Sequence, residues 1–250
     1  MTRILGDANN GAPPDLDPRA VSAFFEDRVR RMDEVGPLKA VIYQDKQGDL
    51  AERRDRAEVG RILPLLGLDG RQSLLDVGCG TGRWTRRVAG LVKSYHGIDA
   101  TPGFLERARA QHAEDVHCRF THLSADALSA QALGEAGFDR ILCAGICIYL
   151  NDAQLSAMFS GMQAVSAPSA RIVLREPMAT GARLTLIEHY SDELKHSYHA
   201  IYRPQDELLS LMRPLLEAGF CMVGQGDVYD ADPLNNRVET RQRWLTLERT

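Results

Sequence analysis

Between residues 73 and 175, short apolar runs alternate with stretches of helical periodicity. This alternation limits the fold more than any other feature of the chain. The runs fall at 73–77, 94–98, 117–123, 140–144 and 171–175, and helical patterns occupy 83–92, 102–113, 126–135 and 152–165. Strand alternating with helix in this way builds a parallel sheet covered on both faces. After Pro177 the pattern changes. Residues 178–203 are polar and aromatic, 204–219 read as a helix, and 220–224 and 238–247 read as two closing strands. A direct, turn-rich connection between those two strands makes them pair antiparallel.

Ahead of the alternation, Asp17-Pro18 is a helix start, an N-cap followed by proline in the first turn. Val21, Phe24, Phe25, Val29 and Met32 then recur at helical spacing until Gly36-Pro37, and a second, charged helix is expected over about 49–66. The expected organisation is a flexible tail over 1–16, a helical cap over 17–66 and an α/β domain over 67–250, with a lid at about 178–203.

Composition excludes several functions. Thirty basic against 34 acidic side chains leave a net charge of −4, without the basic footprint of a nucleic-acid binder. The longest apolar stretch, 141–150, is too short to span a bilayer, and the first residues lack the apolar core of a signal peptide. The five cysteines, Cys79, Cys118, Cys143, Cys147 and Cys221, are an odd number without zinc-type spacing. The expectation is a cytoplasmic protein with no metal, no membrane and no nucleic acid, acting as a monomer or homodimer.

The sharpest local signal is Leu74-Leu75-Asp76-Val77-Gly78-Cys79-Gly80-Thr81-Gly82, a strand running into a glycine turn that opens a helix. Glycine in such a turn permits positive φ and lets a ligand approach the backbone. Asp99 follows Gly78 by 21 residues at the end of the second strand, where an acid meets the ribose hydroxyls of an adenosine in a doubly wound fold. Arg83 stands where a dinucleotide fingerprint has its third glycine. A pyrophosphate loop has no use for the carboxylate of Asp76, whereas a ligand with an ammonium group does.

These residues resemble motif I of class I S-adenosylmethionine-dependent methyltransferases. Tyr95-His96-Gly97-Ile98-Asp99 resembles that family's second strand, Ser124-Ala125-Asp126-Ala127 its acidic loop after strand three, and Phe138–Leu142 and Arg171–Pro177 its fourth and fifth strands. The resemblance covers roughly residues 67–248. It implies a Rossmann-like, seven-stranded, doubly wound sheet whose last strand is antiparallel. It implies S-adenosyl-L-methionine as cofactor. Asp76, Gly78, Gly80 and Gly82 would hold its methionine end, Asp99 its ribose and Asp126 its adenine amino group; a plain helix cap is the alternative for Asp126.

The acceptor in this fold sits beyond the carboxyl ends of the strands. Tyr149 and Asn151 follow strand four and are contact candidates, against a core aromatic and a helix cap. Tyr43 lies between the N-terminal helices and is a candidate to fold over the methionine end, with simple packing of the extension as the favoured alternative. Residues 188–202 hold His189, His196 and His199 with Tyr190, Tyr198 and Tyr202. Such groups relay protons or face a sulfonium cation, so Tyr190 and His189 are the expected catalytic lid residues; an exposed helix is the alternative. The spacing offers no clear third metal ligand. The implied activity is methyl transfer to an oxygen or nitrogen of a small-molecule metabolite. A cyclase of the azetidine-2-carboxylate synthase type, releasing methylthioadenosine, and a non-catalytic S-adenosylmethionine-binding subunit are the alternatives.

Overall fold

The structure is a computed structural model that describes residues 2–5, 14–41, 49–191, 196–230, 234–235 and 237–249. Its centre is a seven-stranded sheet built from β2 (Ser73–Val77), β3 (Ser94–Asp99), β4 (Cys118–His122), β5 (Phe138–Ala144), β6 (Ser166–Ala179), β9 (Cys221–Asp227) and β10 (Thr240–Glu248). The spatial order is β4-β3-β2-β5-β6-β10-β9. Pairing is parallel from β4 to β6, while β10 runs antiparallel to both of its neighbours. The doubly wound sheet with one antiparallel strand is therefore present as its sequence periodicity implies.

Alternation along β2 assigns its side chains to two faces. Leu75 and Val77 join a core of Phe138, Ile141, Ile172 and helix α8 (Asp152–Val165). Leu74 faces the other side with Ile62 and Leu66 of α4 (Leu50–Leu66), Trp84 and Tyr95. The second half of the N-terminal extension is thus packed directly on the sheet. Helix α1 (Pro18–Arg30) starts as its sequence signal implies: the Asp17 side chain accepts from the Arg19 amide and Pro18 fills the first turn. Two short helices, α2 (Met32–Val35) and α3 (Pro37–Val41), follow it.

Four segments depart from the periodicity reading. The pattern at 83–92 yields only α5 (Thr85–Val88) and a 3-10 turn at Ala89–Leu91, because the glycine turn occupies the chain up to Trp84. The pattern at 126–135 splits into a 3-10 turn, Ala125–Ala127, and α7 (Ala130–Leu133), which the extended cap Ser129 opens and the left-handed Gly134 closes. At 204–219, α9 (Gln205–Leu211) and α10 (Arg213–Glu217) are separated at Met212, since Pro214 has no amide hydrogen to continue the first helix. Residues 2–5, expected in a flexible tail, form strand β1 (Thr2–Leu5).

That strand belongs to a second, three-stranded sheet of order β1-β7-β8, with β7 (Leu184–Ser191) and β8 (His196–Tyr202). The histidine- and tyrosine-rich segment is therefore a pair of antiparallel strands and not an exposed helix. Tyr198 and Tyr202 are four apart, a spacing that places side chains together on a helix and, being even, also on one face of a strand. β8 packs on α1: Phe24 meets Tyr198 edge to face at 5.7 Å.

Gly161 lets α8 lie against the chain after the 3-10 turn. A Cβ there would stand 2.4 Å from the Leu128 carbonyl oxygen, whereas one at the exposed Gly60 of α4 would meet nothing within 4 Å. In urea denaturation, Gly161→Ala is expected to lose about 1–3 kcal/mol through overpacking, and Gly60→Ala to gain roughly 0.5–1 kcal/mol through helix propensity.

Candidate active site

The strand order reverses at β2, whose neighbours β3 and β5 lead in opposite directions. A crevice opens outside the carboxyl ends of the strands at such a point. The chain has a cavity of about 310 Å³ there, large enough for a small molecule. Its floor is Gly78, Cys79 and Gly80 after β2, Asp99 to Thr101 after β3, Ser124 after β4 and Gly145-Ile146 after β5. Val21, Ser22 and Phe25 of α1 close it from above, together with Tyr198 and Tyr202 of β8.

The glycine turn fits this place for steric reasons. Gly78 has φ +80°, and a Cβ on it would stand 2.3 Å from the Ile146 side chain; Gly80 has φ +56° and lines the cavity directly. Gly82 has φ +80° but packs beneath the turn, against His112 and Thr85, and is not part of the cavity wall. Asp99 is the best oriented of the acids. One carboxylate oxygen accepts from the Gly80 amide at 2.9 Å and the other from the Thr101 amide at 2.8 Å. Burial pushes its pKa up, against the pull of those two amides.

Asp76 is placed otherwise than its motif implies. Strand alternation points it, like Leu74, toward the α4 face, where it is 1% exposed and accepts from the Tyr95 hydroxyl at 2.7 Å. It does not line the cavity. Burial pushes its pKa up to about 7, partly opposed by the Tyr95 bond. Asp126 also stands one layer back: Ser124 donates to one oxygen and Gln154 to the other at 3.1 Å, and Ser124 and Gln154 form the wall.

The expected acceptor contacts divide. Tyr149 is buried and lines the cavity, its hydroxyl 3.3 Å from that of Tyr198, which in turn is 3.1 Å from that of Tyr202. Arg237 donates to the Tyr202 hydroxyl at 3.4 Å, completing a chain of three phenols and a guanidinium along one wall. Asn151 is corrected to a structural clamp. Its carbonyl oxygen accepts from the Leu16 amide at 2.8 Å and its amide donates to the Leu16 carbonyl at 2.9 Å, so both ends are engaged by the segment that precedes α1. Tyr190 and His189 lie on β7 outside the cavity wall, and Tyr190 is 44% exposed, its side chain turned away as strand alternation requires. Tyr43 lies outside the described residues.

Sequence reasoning missed the charged end of the cavity. Arg54 and Glu58 of α4, Arg83, Arg175 at the end of β6, Tyr229 and Arg237 all line it. Glu58, fully buried, pairs with Arg83 and Arg175, each at 2.5 Å, and Asp55 pairs with Arg83 at 2.9 Å and Arg87 at 2.8 Å. Burial alone would raise the Glu58 pKa, but Arg175 and Arg83 outweigh it and hold the carboxyl below its usual range. The signal that could have found them is the spacing of Arg54, Asp55 and Glu58, whose charges fall on the face of α4 that also carries Ala51, Ile62 and Leu66.

Cys143, Cys147 and Glu176 bring one donor atom each within 4.8 Å of one another. The Glu176 carboxylate already accepts from the amides of Gly145, Ile146 and Cys147 at 2.9–3.2 Å, which makes it a staple for the loop after β5.

Residues 74–169 match the family model of a methyltransferase domain. No curated protein matches the chain. Among solved structures it is similar to phosphoethanolamine N-methyltransferase 1 of Haemonchus contortus, bound to phosphoethanolamine and S-adenosylhomocysteine. That likeness has 17% identity and a TM-score of 0.68, over 93% of this chain and 50% of that one. This chain therefore spans half the length of the nematode enzyme. It is similar to 1,6-didemethyltoxoflavin-N1-methyltransferase of Burkholderia thailandensis, with 18% identity and a TM-score of 0.64 over 96% and 93% of the two chains. It is also similar to the [4+2]-cyclase SpnF, with 17% identity and a TM-score of 0.65 over 96% and 98%. At these identities the likeness establishes the fold.

The placement of Asp76 has a thermodynamic consequence. Its folded pKa of about 7 lies above the ordinary 3.8, so the native state binds the proton more tightly than the unfolded chain. Stability contributed by this group is present below about pH 4 and declines as pH rises to about 7. Asp76→Asn should therefore gain on the wild type across that window, by about 1–4 kcal/mol at pH 8 relative to pH 4. Denaturant melts of both proteins at the two pH values measure it; parallel stabilities would contradict the assignment.

Proposed function

From a methyltransferase domain match over residues 74–169 and a sheet with the class I methyltransferase strand order, we propose that this chain binds S-adenosyl-L-methionine and transfers its methyl group to an oxygen or nitrogen of a small molecule. The observation that carries this reading is the Asp99 carboxylate, fixed by two backbone amides at the end of β3 and facing a cavity that runs on past the glycine turn to a wall of tyrosines. The residues fit the cofactor: a floor without Cβ atoms at Gly78 and Gly80, a charged acceptor for two ribose hydroxyls, and a recess beside Ser124 and Gln154 for the adenine, with Asp126 orienting both side chains.

The cofactor supplies an electrophilic methyl group on a sulfonium. What remains for the protein is to hold an acceptor in line with it, and alignment alone accounts for much of the rate of such reactions. Phe25, Tyr149 and Tyr198 give the acceptor an aromatic wall, with Tyr149 and Phe25 edge to face at 4.9 Å. The hydroxyls of Tyr149, Tyr198 and Tyr202, linked in series, offer hydrogen bonds that position the acceptor's hydroxyl or amine. α1 and β8 cover the site, and Asn151 ties the start of α1 to the end of the loop after β5.

Two outcomes are expected. Asp99→Ala removes a charged acceptor of ribose hydrogen bonds, each worth roughly 1.5–3 kcal/mol, and should weaken S-adenosylmethionine binding at least tenfold in calorimetric titration, with the ligand-free melt little changed. Unaltered binding would sink the ribose role. Tyr198→Ala should lower turnover far more than cofactor affinity, because acceptor alignment is lost while the adenosine contacts remain. Tyr198→Phe then separates ring packing, which it keeps, from positioning by the hydroxyl, which it loses. The product formed from labelled S-adenosylmethionine tests the activity as a whole: S-adenosylhomocysteine is the product of methyl transfer, and methylthioadenosine would replace this reading with cyclisation of the methionine chain.

A further inference from the structure

We propose that the acceptor is an anion, a small molecule whose carboxylate or phosphate group is held at the arginine-rich end of the cavity by Arg175, Arg237 and the Tyr229 hydroxyl. This rests on the methyltransferase reading and names the substrate class of the same site. Among the described residues, the charged side chains lining the cavity are Arg54, Arg83, Arg175 and Arg237 against Glu58 and Asp99, and the proposed function assigns Asp99 to the ribose. Glu58 is divided between Arg83 and Arg175, and Asp55, behind the wall, between Arg83 and Arg87. Glu58 and Asp55, with Glu176 acting on Arg175 at longer range, are thus shared among Arg83, Arg87 and Arg175, and Arg237 stands outside these pairs. Arg237 has no carboxylate partner among the described residues; its contact is the Tyr202 hydroxyl.

Bound cofactor makes the imbalance larger. Its methionine carboxylate is offset by its own ammonium, so the sulfonium leaves one further positive charge in the same cavity. Excess like charge in a partly dry cavity is unfavourable unless a counter-charge enters it. An acceptor bringing that counter-charge gains what a neutral one cannot.

The hydrogen-bond inventory points the same way. Among the described residues, Arg175 Nε and Trp84 Nε1 are buried donors without a hydrogen-bond partner and both residues line the cavity, while Glu58 Oε2, also without a hydrogen bond, is held by the Arg175 ion pair. Arg175 also reaches the Tyr229 hydroxyl at 3.5 Å. Unmet buried donors favour a ligand rich in acceptor oxygens, and a planar guanidinium matches carboxylate and phosphate alike. The aromatic wall of Phe25, Tyr149 and Tyr198 accommodates the rest of such a molecule.

Equilibrium dialysis of the full chain, loaded with S-adenosylhomocysteine, against phenyl phosphate, benzoate and benzyl alcohol tests this. At least one anion should bind tenfold or more tightly than the alcohol at low salt, and whichever anion is preferred distinguishes phosphate from carboxylate. Arg237→Gln, at a half-buried position whose loss does not break the Glu58 pairs, should reduce that preference at least fivefold, and Arg237→Lys should retain most of it. Equal binding of all three probes, failure of both anions to bind a chain that holds S-adenosylhomocysteine, or an Arg237→Gln variant with the full preference would overturn the proposal. Failure to bind S-adenosylhomocysteine at all would instead strike the methyltransferase reading, and this inference with it.

Discussion

Glu58 has no exposed surface and sits between two guanidiniums, one from the segment that follows the glycine turn and one from the end of β6. A carboxylate in that position is tolerable only beside a cation, since loss of both arginines would leave a buried charge uncompensated at a cost of about 3–5 kcal/mol. The pairing therefore ties α4 to the sheet at the edge of the cavity. With Asp55 holding Arg83 and Arg87, it sets where the N-terminal extension lies and leaves the arginine side chains facing inward. The electrostatic character of the cavity beside α4 follows from this network.

The glycine turn and the arginine network work by different physics. At the glycine turn the backbone itself is the binding surface. Positive φ at Gly78 and Gly80 and the close approach of Ile146 leave no room for a side chain, while Asp99 is locked by two amides before any ligand arrives. Preorganisation of this kind reduces the entropy lost on binding. At the arginine end the binding groups are long side chains from four separate parts of the chain, Arg54, Arg83, Arg175 and Arg237. They converge only through tertiary packing.

The parallel sheet, its glycine turn and the acid at the end of β3 were legible in the residues, because each rests on a local rule: strand alternation, the steric need for glycine, and a fixed offset within one βαβ unit. Asp76 was legible as part of the turn but not in its orientation. Period-two alternation turns it toward Tyr95 and α4, away from the cavity. Tyr198 and Tyr202 stood out by composition, yet the same even spacing suits a helix face and a strand face, and only pairing with β7 decides between them. Tyr190 and His189 looked equivalent to them in sequence and are not: alternation turns Tyr190 to the face opposite Tyr198, and His189, though paired in register with Tyr198, lies outside the cavity wall.

What the sequence determined by itself is the doubly wound sheet and the place on it where the glycine turn and Asp99 meet, because hydrophobic periodicity and turn sterics act over a few residues. What only the tertiary structure decided is the other half of the cavity. Leu16 meets Asn151 across 135 residues, Arg54 donates to the Leu234 carbonyl across 180, and Arg237 reaches Tyr202 across 35. No local propensity encodes contacts of that separation. They arise when apolar faces distant in the chain bury one another, and the charged groups between them must then find partners or point at a ligand.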